Sequence, residues 1–229
     1  MVKTKKGDTI KLIFVGKTED GKIFDLNDES VAKEEGLYRE GDDYAPAVVT
    51  IGEGDVVKGL DEDLEGKEVG KSYEVVLSPE KAFGKRNPSL FRLVSAAKFK
   101  QQKVEPYPGM QVNFGNQVGI VKTVSGGRVM VDFNHPLAGR KIVYDYKIES
   151  IVDDDKEILQ SFSKMYLGNA GVKIEGSKAT IFTQIPKELQ EPVKKKILKR
   201  LSKVKEIEFN SSKNKAPAAK DAKTAPKNK

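Results

Sequence analysis

Apolar and polar residues alternate from the eighth position onward. In "DTIKLIFVG" the side chains of Ile10, Leu12 and Phe14 fall on one face, the period-two signature of a half-buried strand. Asp20-Gly21 marks a tight turn, and a second strand carrying Phe24 and Asp25 follows. Residues 26–46 are polar and acidic and predict a surface excursion with one short helix. "AVVTIG" predicts a third strand. In "EGDVVKGLDEDLEGKEVG" the residues Val56, Leu60 and Leu64 recur every four positions, which predicts a short amphipathic helix ended by Gly66. "KSYEVVLSP" alternates again, with Tyr73, Val75 and Leu77 on one face. After Gly139, Ile142, Tyr144, Tyr146 and Ile148 alternate with Val143, Asp145, Lys147 and Glu149, and predict one more strand of the same kind.

Between Lys85 and Asp132 the texture changes. "FRLVSAAKF" and "PYPGMQVNFGNQVGIVKTVSGGRVMVDF" read as short strands split by Pro-Gly and Gly-Gly, a small all-β insert with its own turns. Asn134, His135 and Pro136 form the joint at which the chain leaves it. Beyond Ile151, "DDDKEILQSFSKMYLG" predicts a helix with acids at its N-terminus, where the dipole favours them. "VKIEGSKATIFTQ" reads as a hairpin over Gly176-Ser177. Leu189, Val193, Ile197, Leu201 and Val204 make one helical stripe, with Pro192 marking its start, and "KEIEF" closes as a strand. Residues 211–229 lack any large apolar side chain and are expected to be disordered.

Composition narrows the chemistry. The chain has no cysteine, so disulfides, thiolate catalysis and cysteine-ligated metals are excluded. The first apolar run is four residues long, far short of a membrane span, and a cytoplasmic protein is expected. The net charge of +7 is unevenly spread: residues 1–85 hold 13 Lys and Arg against 20 Asp and Glu, whereas residues 186–205 hold eight bases and two acids. An acidic N-terminal body argues against a nucleic-acid partner for it. The basic C-terminal end leaves contact with RNA as a weaker alternative to a solvated face.

The string "TEDGKIFD…VTIGEGDVVKGLDEDLEGKEVGKSYEVVLSPEKAFG" closely resembles the FKBP family of peptidyl-prolyl cis/trans isomerases. The insert followed by "VDFNHPLAG" resembles its SlyD-like branch, and the residues after Ile151 look like the long archaeal members of that branch. The resemblance implies an α+β fold: an FKBP-type antiparallel twisted sheet on a short helix, an inserted small all-β domain and a C-terminal α/β domain. Its boundaries would be 1–85 with 136–152 for the isomerase domain, 86–135 for a client-binding insert, 153–210 for the C-terminal domain and 211–229 for the Lys-rich tail. It implies catalytic roles for Asp25, Phe24, Phe83 and Tyr144, and substrate contacts for Phe14, Val56, Val57 and Leu60. Phe83 stands where better-known members carry a tyrosine that bonds the substrate carbonyl, so the rate is the open quantity. A holdase chaperone with weak isomerase activity is the competing reading.

Rotation about a peptide bond faces a barrier of roughly 18–20 kcal/mol, because resonance gives the C–N bond double-bond character. No nucleophile or cofactor is needed. The twisted amide separates less charge than the planar one, so an apolar pocket that removes water from the carbonyl favours rotation. The expected partners are unfolded or nascent chains with X-Pro bonds, and the long C-terminal stripe raises a homodimer. His135, the only histidine, is read chiefly as a capping residue bonded to nearby backbone, with a catalytic or metal role as the alternative; one His without Cys completes no transition-metal site. No metal is expected.

Overall fold

The computed structural model describes residues 2–115 and 117–211, so the Lys-rich tail from residue 212 lies outside the described residues. The chain divides into two compact units. One runs from the N-terminus to Gly16, takes in Ile23–Val75 and resumes at Tyr144; the other comprises Lys17–Lys22 and Val76–Val143.

A five-stranded sheet is built from β1 (Thr9–Thr18), β2 (Ile23–Leu26), β3 (Ala47–Thr50), β4 (Ser72–Leu77) and the later strand 142–151. The order is β2, β1, 142–151, β4, with β3 also pairing antiparallel to β1 from Thr9↔Thr50 to Leu12↔Ala47. The period-two pattern decides which side faces inward: Ile10 and Leu12 on β1, and Ile142, Tyr144, Tyr146 and Ile148 on 142–151, are all buried. Helix α1 (Glu29–Glu34) starts where the Asp28 carboxylate accepts the amides of Ser30 and Val31. Helix α2 (Lys58–Asp63) begins two residues later than Val56, and Leu60 and Leu64 are fully buried at and beyond its last turn. Gly66 ends that segment at φ 77°, a conformation that favours glycine, with its amide on Thr4 O at 2.8 Å.

The second unit is wider than the expected insert 86–135. It carries β5 (Phe91–Ser95), α3 (Ala96–Gln101), β6 (Gln111–Phe114), β7 (Gln117–Ser125) and β8 (Arg128–Asp132) in an antiparallel sheet ordered β5-β8-β7-β6. Gly126 and Gly127, both at positive φ, make the turn between β7 and β8. Phe99, Val112, Val121, Val129 and Val131 form the core. The insert is therefore not purely β. "SAAKFKQ" forms a helix because the Ser95 hydroxyl accepts the Ala97 amide, and Phe99 on α3 is buried among the strands.

The strand 142–151 becomes β9 (Ile142–Ile151) and returns the chain to the first unit. After it come α4 (Asp155–Tyr166), β10 (Gly171–Glu175), β11 (Lys178–Phe182), α5 (Lys187–Leu198) and β12 (Glu206–Phe209). β10 pairs antiparallel to β11 across Gly176-Ser177, and β12 pairs parallel to β11 after the α5 crossover. Leu159, Phe162, Ala179, Ile181, Ile197, Val204 and Ile207 form a core of their own. Two details of the expected stripe are corrected. Pro192 lies inside α5, which starts at Lys187 behind Pro186, and Leu201 and Val204 follow the helix end while Leu189 is 54% exposed. The buried set is completed by the loop into β12, not by a longer helix.

This segment also bonds to the sheet. Ser161 donates to Val48 O at 3.1 Å, Val152 N to Thr9 O at 2.7 Å, and Lys11 pairs with Glu157 at 2.8 Å.

Candidate functional site

Three of the eight expected site residues are joined by ring contacts. Phe14 on β1, Phe24 on β2 and Tyr144 on β9 stand on adjacent strands, and Tyr144 is the centre of the group. Its ring centroid is 5.9 Å from Phe14 at an interplanar angle of 67°, and 6.0 Å from Phe24 at 84°. Both are edge-to-face contacts, the geometry that aligns a ring's positive edge with its neighbour's negative face. Tyr144 is buried and Phe14 and Phe24 are half-buried, so apolar ring surface is left open to a ligand.

Gly16 is what permits this approach. A Cβ built there would lie 2.8 Å from Phe24 Cζ and 2.8 Å from Tyr144 Cε1. Real Cβ atoms do not come so close, so the two rings close over a position that only glycine leaves empty. Asn27 fixes the other end of the group. Its Oδ1 accepts the Phe14 amide at 2.7 Å, its Nδ2 donates to Leu12 O at 2.9 Å, and its own amide donates to Phe14 O at 3.1 Å. Sequence reasoning missed both residues. Gly16 carries the weak signal of a glycine inside a strand pattern, which marks close backbone approach; Asn27 carries none beyond being polar after a strand.

Asp25 is an exposed residue of β2 whose carboxylate is nonetheless crowded by its surroundings. That desolvation pushes its carboxyl above the usual carboxylate range, against the opposing bond from the Leu26 amide. Burial, and then the negative charge of Asp25, push the Tyr144 hydroxyl up to about 12. Tyr144 thus stays neutral throughout the physiological range. Val56 and Val57 are half-buried on the segment entering α2, Val57 being its N-cap, and Leu60 is buried one turn on.

Phe83 belongs to the second unit. It follows a short 3-10 turn, Pro79–Lys81, and is half-buried. The His135 ring lies parallel to it at 4.6 Å. Nδ1 of His135 accepts the Leu137 amide at 3.2 Å, the backbone-capping role expected for it. The joint around it is tightly bonded. Asn134 accepts the Asn87 amide at 2.8 Å and donates to Asn87 O at 3.1 Å, so the segments entering and leaving the insert are clasped by one side chain. Buried Asp132 accepts from Asn134 Nδ2 at 2.7 Å and pairs with Arg86 at 2.9 Å.

Among the described residues, no group of three or more His, Cys, Asp or Glu could hold a metal ion, and no helix is long and apolar enough to cross a membrane.

Comparison with known proteins identifies relatives of both parts of the chain. Residues 2–100 match the family described as FKBP-type peptidyl-prolyl cis-trans isomerase, and residues 92–137 match the domain described as FKBP26, IF domain. The chain is 31% identical over 153 residues to the short-type peptidyl-prolyl cis-trans isomerase of Methanocaldococcus jannaschii, an alignment covering 67% of this chain and 97% of that protein. It is 29% identical over 154 residues to the FKBP-type peptidyl-prolyl cis-trans isomerase SlyD of Helicobacter pylori, covering 64% and 76%. With the FKBP-type 16 kDa peptidyl-prolyl cis-trans isomerase of Escherichia coli it shares 32% over 111 residues, covering 46% and 74%.

Proposed function

The chain belongs to the FKBP-type peptidyl-prolyl cis-trans isomerases, in their SlyD-like branch, and from that membership we propose that its prolyl site is the cluster of Phe14, Phe24 and Tyr144. Asp25 stands at its rim, and Val56 and Val57 form its floor, while Leu60, fully buried, is included on the family resemblance. The observation that carries this reading is the edge-to-face group closed over Gly16 beside a crowded carboxylate. Phe83 is included on the family resemblance.

The chemistry asked of such a site is rotation, not bond cleavage. The prolyl ring fills the apolar group, which excludes water from the amide and favours the less polar, twisted form. Asp25 acts on the carbonyl that rotates. A carboxylate facing that oxygen destabilises the planar amide, which places negative charge on the oxygen, more than the twisted one. Each tenfold of acceleration asks for about 1.4 kcal/mol of such a difference. With Phe83 the oxygen gains no hydroxyl donor from that position, and the remaining groups carry the rate.

The insert is proposed to hold unfolded or nascent client chains while the site works on their X-Pro bonds. Leu93, Tyr107 and Val118 are 62%, 62% and 54% exposed. β5 and β6 are the outer strands of their sheet, so unpaired backbone and apolar side chains are available to an extended peptide. Tethering the client beside the site raises its effective concentration there. The C-terminal segment is proposed to self-associate, with exposed Leu189 and Met165 as contacts, and the protein to act in the cytoplasm. Turnover of a short X-Pro peptide by the full chain tests the site, and light scattering tests the dimer. Absence of turnover in a folded chain would leave the holdase reading.

A further inference from the structure

Asp55 immediately precedes Val56 and Val57, and the groups that hold it come largely from the far end of the chain. Arg200, just past the end of α5, sets both arms of its guanidinium on the Asp55 carboxylate: Nη2 donates to Oδ1 at 2.9 Å and Nη1 to Oδ2. Nη1 also lies 3.3 Å from Thr50 Oγ1. Tyr166, the last residue of α4, donates from its hydroxyl to Oδ1 at 2.5 Å, and the Thr50 amide donates to Oδ2 at 2.9 Å. The two charged side chains are 3% and 1% exposed, and the face of Phe162 lies 5.2 Å from the guanidinium. One residue before Arg200, Lys199 pairs with Glu53 at 3.7 Å.

The segment 50–57 is held from its other side too. Asp61 of α2 accepts the amides of Gly52 at 2.8 Å and Gly54 at 3.2 Å. The segment thus runs between two carboxylates, one of them fixed by the C-terminal part of the chain. A buried ion pair is a poor device for stability alone, since apolar residues of similar volume do as well or better. What a two-armed arginine adds is direction, because its planar fork fits a carboxylate in one orientation.

We propose that Arg200 is a positioning residue for prolyl isomerisation: through Asp55 it fixes segment 50–57, so that Val56 and Val57 meet the prolyl ring in one geometry. This rests on the reading of Val56 and Val57 as the floor of the site. It gives the C-terminal segment, which lies beyond residues 2–137 matched by the two families, a part in positioning the substrate. The ring touched by the floor does not rotate during the reaction and is bound alike before and at the transition state. Loosening the floor therefore weakens KM and leaves kcat nearly intact.

The test uses the full chain, an X-Pro tetrapeptide, and thermal unfolding of every variant. Arg200→Met is expected to raise KM about tenfold with kcat within twofold, and Arg200→Lys, which keeps the charge and loses the fork, about threefold. The double variant Asp55→Leu/Arg200→Met replaces the pair by apolar side chains. It is expected to regain the melting temperature but not KM, whereas a purely structural pair would restore both. Wild-type KM in folded Arg200→Met, or KM that follows melting temperature through the whole set, overturns the proposal. If Arg200→Met does not fold, the double variant and Tyr166→Phe, expected to raise KM about twofold, decide in the same way. Phe24→Ala is the control: its loss of activity beside an unchanged Arg200→Met removes only this inference, whereas unchanged constants in both remove the site reading as well.

Discussion

The imidazole of His135 lies flat against the ring of Phe83, with centroids 4.6 Å apart and planes 3° from parallel. His135 follows Asn134, the residue that clasps Asn87, so the closure of the insert and the orientation of a proposed site residue share one backbone turn. The bond from the Leu137 amide to Nδ1 fixes the ring's rotation about χ2 and leaves its face for Phe83.

Removing the imidazole should therefore free Phe83. His135→Ala is expected to lower peptide turnover by about three- to fivefold and stability by about 1 kcal/mol, the scale of one aromatic pair. His135→Phe keeps the stack and loses only the bond to Leu137, and should stay within twofold of wild type. Equal turnover in His135→Ala and wild type, measured with a proline tetrapeptide, would remove His135 from any role at the site.

Gly16 provides a sharper test of the aromatic group than the aromatics themselves. Gly16→Ala adds a methyl where two rings already stand at 2.8 Å. Overpacking of that kind costs about 1–3 kcal/mol, and here the displaced atoms are the proposed substrate contacts. Turnover is expected to fall at least tenfold in a chain that still folds. Phe24→Ala and Asp25→Ala should also lose turnover, Asp25→Ala through kcat if its carboxylate acts on the rotating carbonyl as proposed. If the three variants kept wild-type constants, the cluster would be no more than core.

What could be read from sequence was what local periodicity encodes. Ile142, Tyr144, Tyr146 and Ile148 alternate, and all four are buried, because a strand in a sheet with one covered face admits no other register. Periodicity fails where an element ends for non-periodic reasons. Leu201 and Val204 continue the spacing of α5 but lie past its end, and the capped helix α3 interrupts a stretch whose composition is that of strands. Around the candidate site, Phe14, Phe24 and Tyr144 are each marked by their own strand pattern, whereas Phe83 lies beyond a 3-10 turn. The Arg200–Asp55 contact spans 145 residues, and Asn27 acts through backbone groups that any residue supplies, so neither leaves a local trace.

Acid should reveal the carboxylates that bind loops. Burial alone would raise the Asp155 carboxyl, but the amides of Ser202, Val204 and Lys203 and the Ser202 hydroxyl outweigh it and hold it below the ordinary carboxylate range. A depressed folded-state value means stability that is present above the unfolded value, about 3.9, and lost as pH falls through the folded one. Asp155→Asn should cost about 3 kcal/mol at neutral pH, since bonds to a charged acceptor are worth about 1.5–3 kcal/mol each and the amide retains some of them. The gap between variant and wild type, followed by urea unfolding, should be full above about pH 5 and narrow progressively below about pH 4. A gap independent of pH would mean that the charge of Asp155 contributes nothing.

Removal of the insert tests separately the two roles proposed for the site and for the insert. Asn87 and Asn134 are joined by two hydrogen bonds, at 2.8 Å and 3.1 Å, and Gly139 N reaches Gly84 O at 2.8 Å, so the two crossings already lie side by side. Replacing residues 88–133 by a short Gly-containing turn keeps those bonds and the His135–Phe83 stack. It also leaves Phe14, Phe24, Asp25, Val56, Val57, Leu60 and Tyr144 untouched. Loss of Asp132 costs the Arg86 ion pair, a price in stability that unfolding measurements will register. Peptide isomerisation should survive within about tenfold, equivalent to about 1.4 kcal/mol in barrier. Refolding of a protein limited by a slow X-Pro bond should fall much further, because the client would lose the second point of attachment proposed for it. Suppression of aggregation of a denatured protein should disappear with it. Parallel losses in the peptide and protein assays would mean that the insert only supports the site, and the client-binding role proposed for Leu93, Tyr107 and Val118 would have to be abandoned.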